Sequence, residues 1–174
     1  MMRAITFSFL VAAGVSVAAQ GGARVPFVIQ MHNGDGASVG TITLSPAAAG
    51  VSMKLDLTGL PPGVHAIHVH QTAKCEGPGF TTAGGHFNPM TKHHGLENPE
   101  GPHAGDIPNF TADDKGKATA TITAPGVSLG TGENSMIAGA GTAIVIHAGP
   151  DDNKTDPAGN AGGRIACGIV ERRF

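Results

Sequence analysis

VHAIHVHQ, at residues 64–71, alternates histidine with small and aliphatic side chains. Successive side chains of a β-strand point to opposite faces, so this stretch would present His68 and His70 together on one face. His65 would lie on the other face among the aliphatic residues, where a histidine is most simply a core residue hydrogen-bonded to the main chain. The pattern predicts a strand with one apolar face and one face able to hold a metal ion.

Short alternating or β-branched runs recur along the rest of the chain, separated by turn sequences. NGDG at 33–36 and DDKG at 113–116 supply residues that tolerate positive φ in tight hairpins. Glycine (27 residues) and proline (12 residues) are abundant, aromatic residues make up 4%, and no segment shows helical periodicity. These features favour an all-β sandwich or flattened barrel. The eight predicted strands are 25–32, 39–44, 51–57, 64–70, 107–112, 117–123, 142–148 and 165–171.

Residues 1–19 are typical of a secretory signal peptide, with a basic Arg3, an apolar run and small residues before a cleavage after Ala19. The alternative is an N-terminal membrane anchor, but the apolar run is short for a spanning helix. We expect residues 20–174 to form one domain that is periplasmic or secreted.

Export would place both cysteines, Cys75 and Cys167, in an oxidising compartment, where an even number favours a disulfide over two independent thiols. The net charge of -2 gives no sign of a nucleic-acid footprint or a polybasic membrane patch. We therefore expect neither nucleic acid nor, after signal cleavage, a membrane among the partners.

Two stretches do not fit a plain sandwich. The long loop, residues 71–106, is rich in Gly, Pro and His and has too few apolar residues to be held by packing alone. The polar loop, residues 149–163, joins the last two predicted strands and is of the kind that often carries function. Cys75 and a bound metal ion would fix the long loop.

Histidines cluster on these loops and strand ends in numbers that indicate two metal ions. His103 and Asp106 lie three residues apart, so a carboxylate and imidazoles can converge on a four-coordinate N3O site, which suits zinc. An all-imidazole set suits copper(II), the strongest binder of the divalent series. Solvated surface histidines are the alternative, and this explanation fits His32 and one of the pair at 93 and 94. The zinc candidates are His86, His94, His103 and Asp106, and the copper candidates are His68, His70 and His147 with His86 as a fourth.

Six motifs together resemble the copper-zinc superoxide dismutase family in its secreted bacterial form. They occur in the family's order and span the chain from about residue 25 to 171. The resemblance implies an eight-stranded Greek-key flattened barrel with a long metal-binding loop and a shorter electrostatic loop. The motifs are HAIHVH (65–70), GGHFNP (84–89), KHHG (92–95), GPHAGD (101–106), IVIHAG (144–149) and GNAGGRIACG (159–168).

The resemblance also implies a role for each candidate residue, with one copper and one zinc per subunit. His68, His70 and His147 would bind copper alone, and His86 would bridge the two metals as imidazolate. His94, His103 and Asp106 would complete the zinc site, and the family's spacing after His86 selects His94 and leaves His93 spare. The further implied roles are Arg164 orienting the anion beside copper, Asp151 hydrogen-bonding one copper and one zinc histidine, and Cys75 to Cys167 as the intrasubunit disulfide.

The same resemblance implies that the chain would be an oxidoreductase that converts two superoxide anions and two protons to O2 and hydrogen peroxide, and so would protect against extracytoplasmic superoxide. Copper would cycle between two oxidation states, zinc would be structural, and His86 would leave Cu(I) and take up a proton. The rivals are a non-catalytic copper or zinc store and an adhesion-type sandwich with a solvated His-rich loop.

The chain departs from the eukaryotic cytosolic branch in two loops. Ten residues separate Cys75 from His86, and the segment after Asp151 is short and lacks paired glutamates, which leaves Lys154 as a candidate guiding charge. Homodimer formation stays open at this point, as does use of the NFT glycosylation pattern at Asn109.

Overall fold

The computed structural model describes residues 27–172, so the predicted signal peptide and the start of the first predicted strand lie outside the described residues. Within that range nine strands and one 3-10 turn, Thr81–Ala83, make up the regular structure. No helix there is long and apolar enough to cross a membrane. The strands are β1 (Phe27–Asn33), β2 (Ser38–Pro46), β3 (Val51–Leu57), β4 (Gly63–His65), β5 (Ile67–His70), β6 (Phe110–Ala112), β7 (Ala118–Ala124), β8 (Thr142–His147) and β9 (Arg164–Val170).

Seven strands form one curled antiparallel sheet in the order β5-β8-β9-β1-β2-β3-β7, and β4 pairs with β6. At one edge β4 leads directly into β5, and at the other β6 lies beside β7, so the short pair closes the sheet into a flattened barrel. The neighbours β3 and β7, and likewise β5 and β8, are not consecutive along the chain. Such crossovers are those of a Greek key. The all-β prediction is confirmed.

The predicted strand 64–70 is divided at Ala66. The amide of Ala66 donates to Gly149 O (2.8 Å), and its carbonyl accepts from the amide of His147 (3.0 Å). The chain changes neighbours here, because β4 pairs with β6 whereas β5 pairs with β8. Side-chain alternation continues through Ala66 and so gave no sign of this break. The predicted strand 107–112 is likewise shortened to β6, which finds only the three residues of β4 to pair with.

Alternation along the strands places one face of each in the barrel core. In β3, for example, the residues at 51, 53, 55 and 57 are buried and those between them are more exposed. β5 and β8 differ, because every residue in both strands is buried. Their inner faces contribute aliphatic side chains to the core, and their outer faces are covered by the long loop and the polar loop. The outer face of these two strands is where the functional residues collect.

Both predicted hairpin turns form. Asn33 Oδ1 accepts from the amides of Asp35 (3.1 Å) and Ala37 (2.9 Å), and Gly36 has a φ of 82°. In the second turn Asp113 Oδ1 accepts from two amides in the same way. These side chains replace main-chain contacts that a tight turn leaves unmade.

Candidate metal centre

Strand register collects four polar side chains on the outer face of the barrel. Directly opposed residues of an antiparallel pair point to the same face. His68 lies opposite Val145, and His147, two residues farther along β8, shares that face with it. His70 is two residues beyond His68, and Arg164 of β9 lies opposite His147. The alternation predicted for residues 64–70 therefore holds, with both histidines facing away from the core.

Main-chain hydrogen bonds lay two segments of the long loop along the free edge of β5. The amide of Val69 donates to Gly105 O (2.9 Å), and its carbonyl accepts from the amide of Phe87 (2.8 Å). An added Cβ at Gly105 would meet Val69 O at 2.3 Å, so this approach needs glycine. The residues beside these contacts are thereby aligned with β5. The aligned pairs are His70 with His86 and His68 with Asp106.

The first side-chain group is made of four buried imidazoles. Its candidate ligand atoms all lie within 4.8 Å of one another. One ring nitrogen in each has no hydrogen-bond partner within residues 27–172, which is unusual for a buried polar atom and is what a metal ligand requires. The uncommitted atoms are His68 Nδ1, His70 Nε2, His86 Nε2 and His147 Nε2.

The other ring nitrogen of three of these histidines is anchored, which fixes both the tautomer and the orientation of the ring. Each donates its hydrogen to a nearby oxygen and keeps its lone pair on the uncommitted nitrogen. The anchors are His68 Nε2 to Asp151 Oδ2 (2.8 Å), His70 Nδ1 to Gly84 O (2.9 Å) and His147 Nδ1 to Gly162 O (3.2 Å).

The second group shares His86 with the first and consists of His86, His94, His103 and Asp106. Asp106 Oδ1 lies 3.0 Å from His86 Nδ1, 3.0 Å from His94 Nδ1 and 3.3 Å from His103 Nδ1. Four ligands about 2.0 Å from a tetrahedral zinc ion are separated by about 3.3 Å along each edge of the tetrahedron. The spacing and the N3O donor set both fit zinc.

Burial keeps the first group neutral. It lowers the pKa of His70 to about 2 and those of His86 and His147 to about 4. It also lowers the pKa of His68, against the effect of the hydrogen bond to Asp151. Neutral imidazole is the form that binds metal, so these side chains are ready to act as ligands at neutral pH.

Two carboxylates stabilise positive charge at the second group. Burial opposes it, but hydrogen bonds to Asp106 and Asp151 raise the pKa of His94 to about 9. Burial likewise works against ionisation of Asp106, yet hydrogen bonds from the three histidines bring its pKa well below the usual range. The surroundings favour a cation at this imidazole, whether a proton or a metal ion.

Asp151 joins the two groups. Its Oδ2 accepts from His68 Nε2 (2.8 Å) and its Oδ1 from His94 Nε2 (3.0 Å), and all three side chains are fully buried. The main chain of Asp151 is held by Asn109, whose Nδ2 donates to Asp151 O (2.9 Å) and whose Oδ1 accepts from Asp151 N (2.9 Å). Asn109 thus uses its amide internally. In the sequence, the NFT pattern at Asn109 suggested a glycosylation site and gave no indication of this contact.

Arg164 is held beside the first group by the long loop. Its two terminal nitrogens donate to Phe80 O and Gly84 O, both at 2.7 Å. Cys75 and Cys167 form a disulfide that ties the same loop segment to β9. Burial lowers the pKa of Arg164, but from a starting value so high that the side chain remains charged.

The remaining histidines lie outside both groups. His65 is buried, with Nδ1 2.8 Å from His147 O and Nε2 2.7 Å from Pro61 O, as expected of a core histidine bonded to the main chain. His32 and His93 are exposed. Lys154 forms an ion pair with Glu97 (3.0 Å), which sequence reasoning missed and which offsets its value as a guiding charge.

Comparison with known proteins agrees with this geometry. A family model described as copper/zinc superoxide dismutase matches residues 38–170. The chain belongs to this family. It is therefore an oxidoreductase that uses copper and zinc, and superoxide is its substrate.

The chain is similar to curated and solved proteins named copper-zinc superoxide dismutase and to a solved protein named SOD-like. The chain is 51% identical over 143 residues to Superoxide dismutase [Cu-Zn] 2 of Aquifex aeolicus, covering 81% of this chain and 84% of that protein. The solved Cu/Zn superoxide dismutase from Brucella abortus is 32% identical, with a TM-score of 0.69 over 84% of this chain and all of that one. A SOD-like protein from Bacillus subtilis is 36% identical, with a TM-score of 0.79 over 82% of this chain and 97% of that one.

Proposed function

We propose that the four-imidazole group is the copper site of this superoxide dismutase and that the three-imidazole, one-carboxylate group is its zinc site. The observation that carries the proposal is His86, which directs Nε2 at the first group and Nδ1 at the second. An imidazole between two ligand sets can bind a metal ion with each nitrogen. The proposed copper ligands are His68, His70, His86 and His147, and the proposed zinc ligands are His86, His94, His103 and Asp106.

Copper held by these residues would supply the one-electron redox chemistry by which two superoxide anions and two protons become O2 and hydrogen peroxide. Zinc has no second oxidation state available, so at the second group it would be structural and would order the loop that carries these residues. The rest of the reaction depends on side chains of this protein.

Arg164 supplies the positive charge that brings the anion to the site. The molecule carries a formal charge of -2, so a local field, and not the net charge, must attract superoxide. The two carbonyl contacts of Arg164 fix its guanidinium beside His147 and leave donors free for an anion.

His86 supplies a proton. Its Nε2 points into the first group and has no hydrogen-bond partner among the described residues, so this nitrogen is placed to take up a proton when it is free of metal and to pass that proton to a reduced oxygen. Nδ1 of the same ring stays engaged on the side of Asp106, which keeps the ring in place while Nε2 exchanges its proton.

We further propose that residues 1–19 are a signal peptide removed on export and that residues 20–174 act in the periplasm or outside the cell. The Cys75–Cys167 disulfide supports an oxidising compartment. Assembly as a homodimer is a separate hypothesis, which sedimentation of the mature protein would test.

Metal analysis combined with a superoxide assay tests the function. The mature protein should bind about one copper and one zinc and consume superoxide faster than the same copper free in buffer. Failure to exceed free copper would favour a metal store on the same scaffold. A metal store needs no charged side chain beside copper. The enzyme and metal-store hypotheses therefore also predict different effects of substituting Arg164.

Two substitutions test the division of roles, with the exposed His32→Ala as a matched control. His147→Ala should abolish activity and copper binding while zinc remains, because His147 belongs to the first group alone. Arg164→Ala should keep both metals and lower the rate. Equal loss of both metals in the first variant, or an unchanged rate in the second, would contradict the assignment.

A further inference from the structure

We propose that Asp156 is a positioning residue for zinc, acting through the main chain of His94. The inference rests on the proposed zinc site. Asp156 lies in the polar loop, 62 residues along the chain from His94. Its Oδ1 accepts from the amide of His94 (2.6 Å), and its Oδ2 accepts from His93 Nδ1 (2.5 Å). One carboxylate therefore joins the polar loop to a ligand and to the residue before it.

The contact matters because of how His94 is held. Its carbonyl accepts from Asn98 Nδ2 (2.9 Å) and its Nε2 donates to Asp151 Oδ1 (3.0 Å). With the amide bonded to Asp156, every polar atom of His94 except Nδ1 is held by a residue outside the zinc candidates, and Nδ1 lies 3.0 Å from the candidate ligand Asp106. The main chain and Nε2 of His94 are thus both held by hydrogen bonds, and Nδ1 is the nitrogen left for zinc.

The other zinc candidates are held by residues that lie closer to them in the sequence. The amide of His103 donates to Asp106 Oδ2 (2.9 Å), three residues away, and His86 lies against the edge of β5. His94 alone among the described zinc candidates takes anchors from the polar loop, through Asp151 at its ring and Asp156 at its main chain. Loss of Asp156 should therefore weaken zinc binding by freeing one ligand and leave the copper ligands where they are.

The two contacts of Asp156 differ in their surroundings. The side chains of His93 and Asp156 are 55% and 43% exposed, so solvent weakens their ion pair. The bond to the amide of His94 is partly buried. We expect the main-chain contact to carry most of the effect, so that His93→Ala is milder than Asp156→Ala.

The test is the rate at which a chelator removes zinc from the purified protein loaded with both metals, with copper release followed in parallel. Asp156→Ala should release zinc about tenfold faster, the lower end of what removing a ligand's hydrogen-bond partner does. Asp156→Asn, whose Oδ1 can still accept from the amide of His94, should recover most of that loss. Copper release should be unchanged.

Glu97→Gln is the matched control. It breaks the ion pair to Lys154, which joins the same two loops at an exposed position without touching His94. Zinc release at the wild-type rate in Asp156→Ala overturns the proposal, as do equal acceleration in Glu97→Gln or equal acceleration of copper release. Wild-type protein that holds no zinc would instead refute the proposed zinc site.

Discussion

Gly159→Ala is expected to damage the metal centre without changing a ligand. An added Cβ at Gly159 would lie 1.7 Å from Asp151 Oδ1 and 2.8 Å from His94 Nε2. Carbon and oxygen in ordinary contact lie about 3.3 Å apart, so the Asp151 carboxylate would have to move by roughly 1.5 Å. A shift of that size breaks at least one of the hydrogen bonds that Asp151 accepts from the two buried imidazoles, at 2.8 and 3.0 Å.

The magnitude follows from two contributions. Gly159 has a φ of 61°, and alanine in this left-handed region costs about 1 to 2 kcal/mol. The loss of one buried hydrogen bond to a charged group costs about 1.5 to 3 kcal/mol more. We expect a total loss of about 2.5 to 5 kcal/mol in the free energy of unfolding and about 10- to 100-fold weaker zinc binding.

Gly139→Ala separates the two contributions. Gly139 has a φ of 57°, and an added Cβ would meet nothing within 4 Å, so this variant has the backbone cost alone. Denaturant unfolding of the metal-free proteins and chelator competition for zinc would be measured on both variants. The reasoning is refuted if Gly159→Ala loses no more stability than Gly139→Ala and retains zinc equally well.

Other substitutions test the supports of the two loops. Asn109→Ala removes both contacts to the main chain of Asp151 and should accelerate release of both metals in a chelator assay; release of zinc alone would contradict the role of Asp151 in joining the sites. Cys75→Ser opens a disulfide spanning 92 residues and should cost about 4 to 5 kcal/mol by calorimetry, together with a lower rate because the carbonyls that hold Arg164 are released. An unchanged rate would show that Arg164 is held without the disulfide. The activity of the wild type should fall as salt rises, because ions screen the attraction of Arg164 for the anion, and a flat salt profile would argue against it.

Much of the fold could be predicted from local pattern. Alternation identified the strands and the two faces of residues 64–70, since a pleated chain has a period of two whatever surrounds it. Asn33 and Asp113 identified the hairpins, because their side chains bond amides only two to four residues away. The break at Ala66 could not be predicted, since it depends on β4 and β5 finding different neighbours.

The sequence by itself determined the inventory of the site: which residues could bind metal, two sets of donors with different chemistry, a pair of cysteines, and a family resemblance that assigned a role to each. It did so because donor type is a property of the side chain alone. Tertiary structure decided how these residues meet. Asp156 contacts the amide of His94 from 62 residues away, and Gly159 matters because of a carboxylate packed against it. Contacts across such separations are set by strand register and loop packing, which no local pattern encodes.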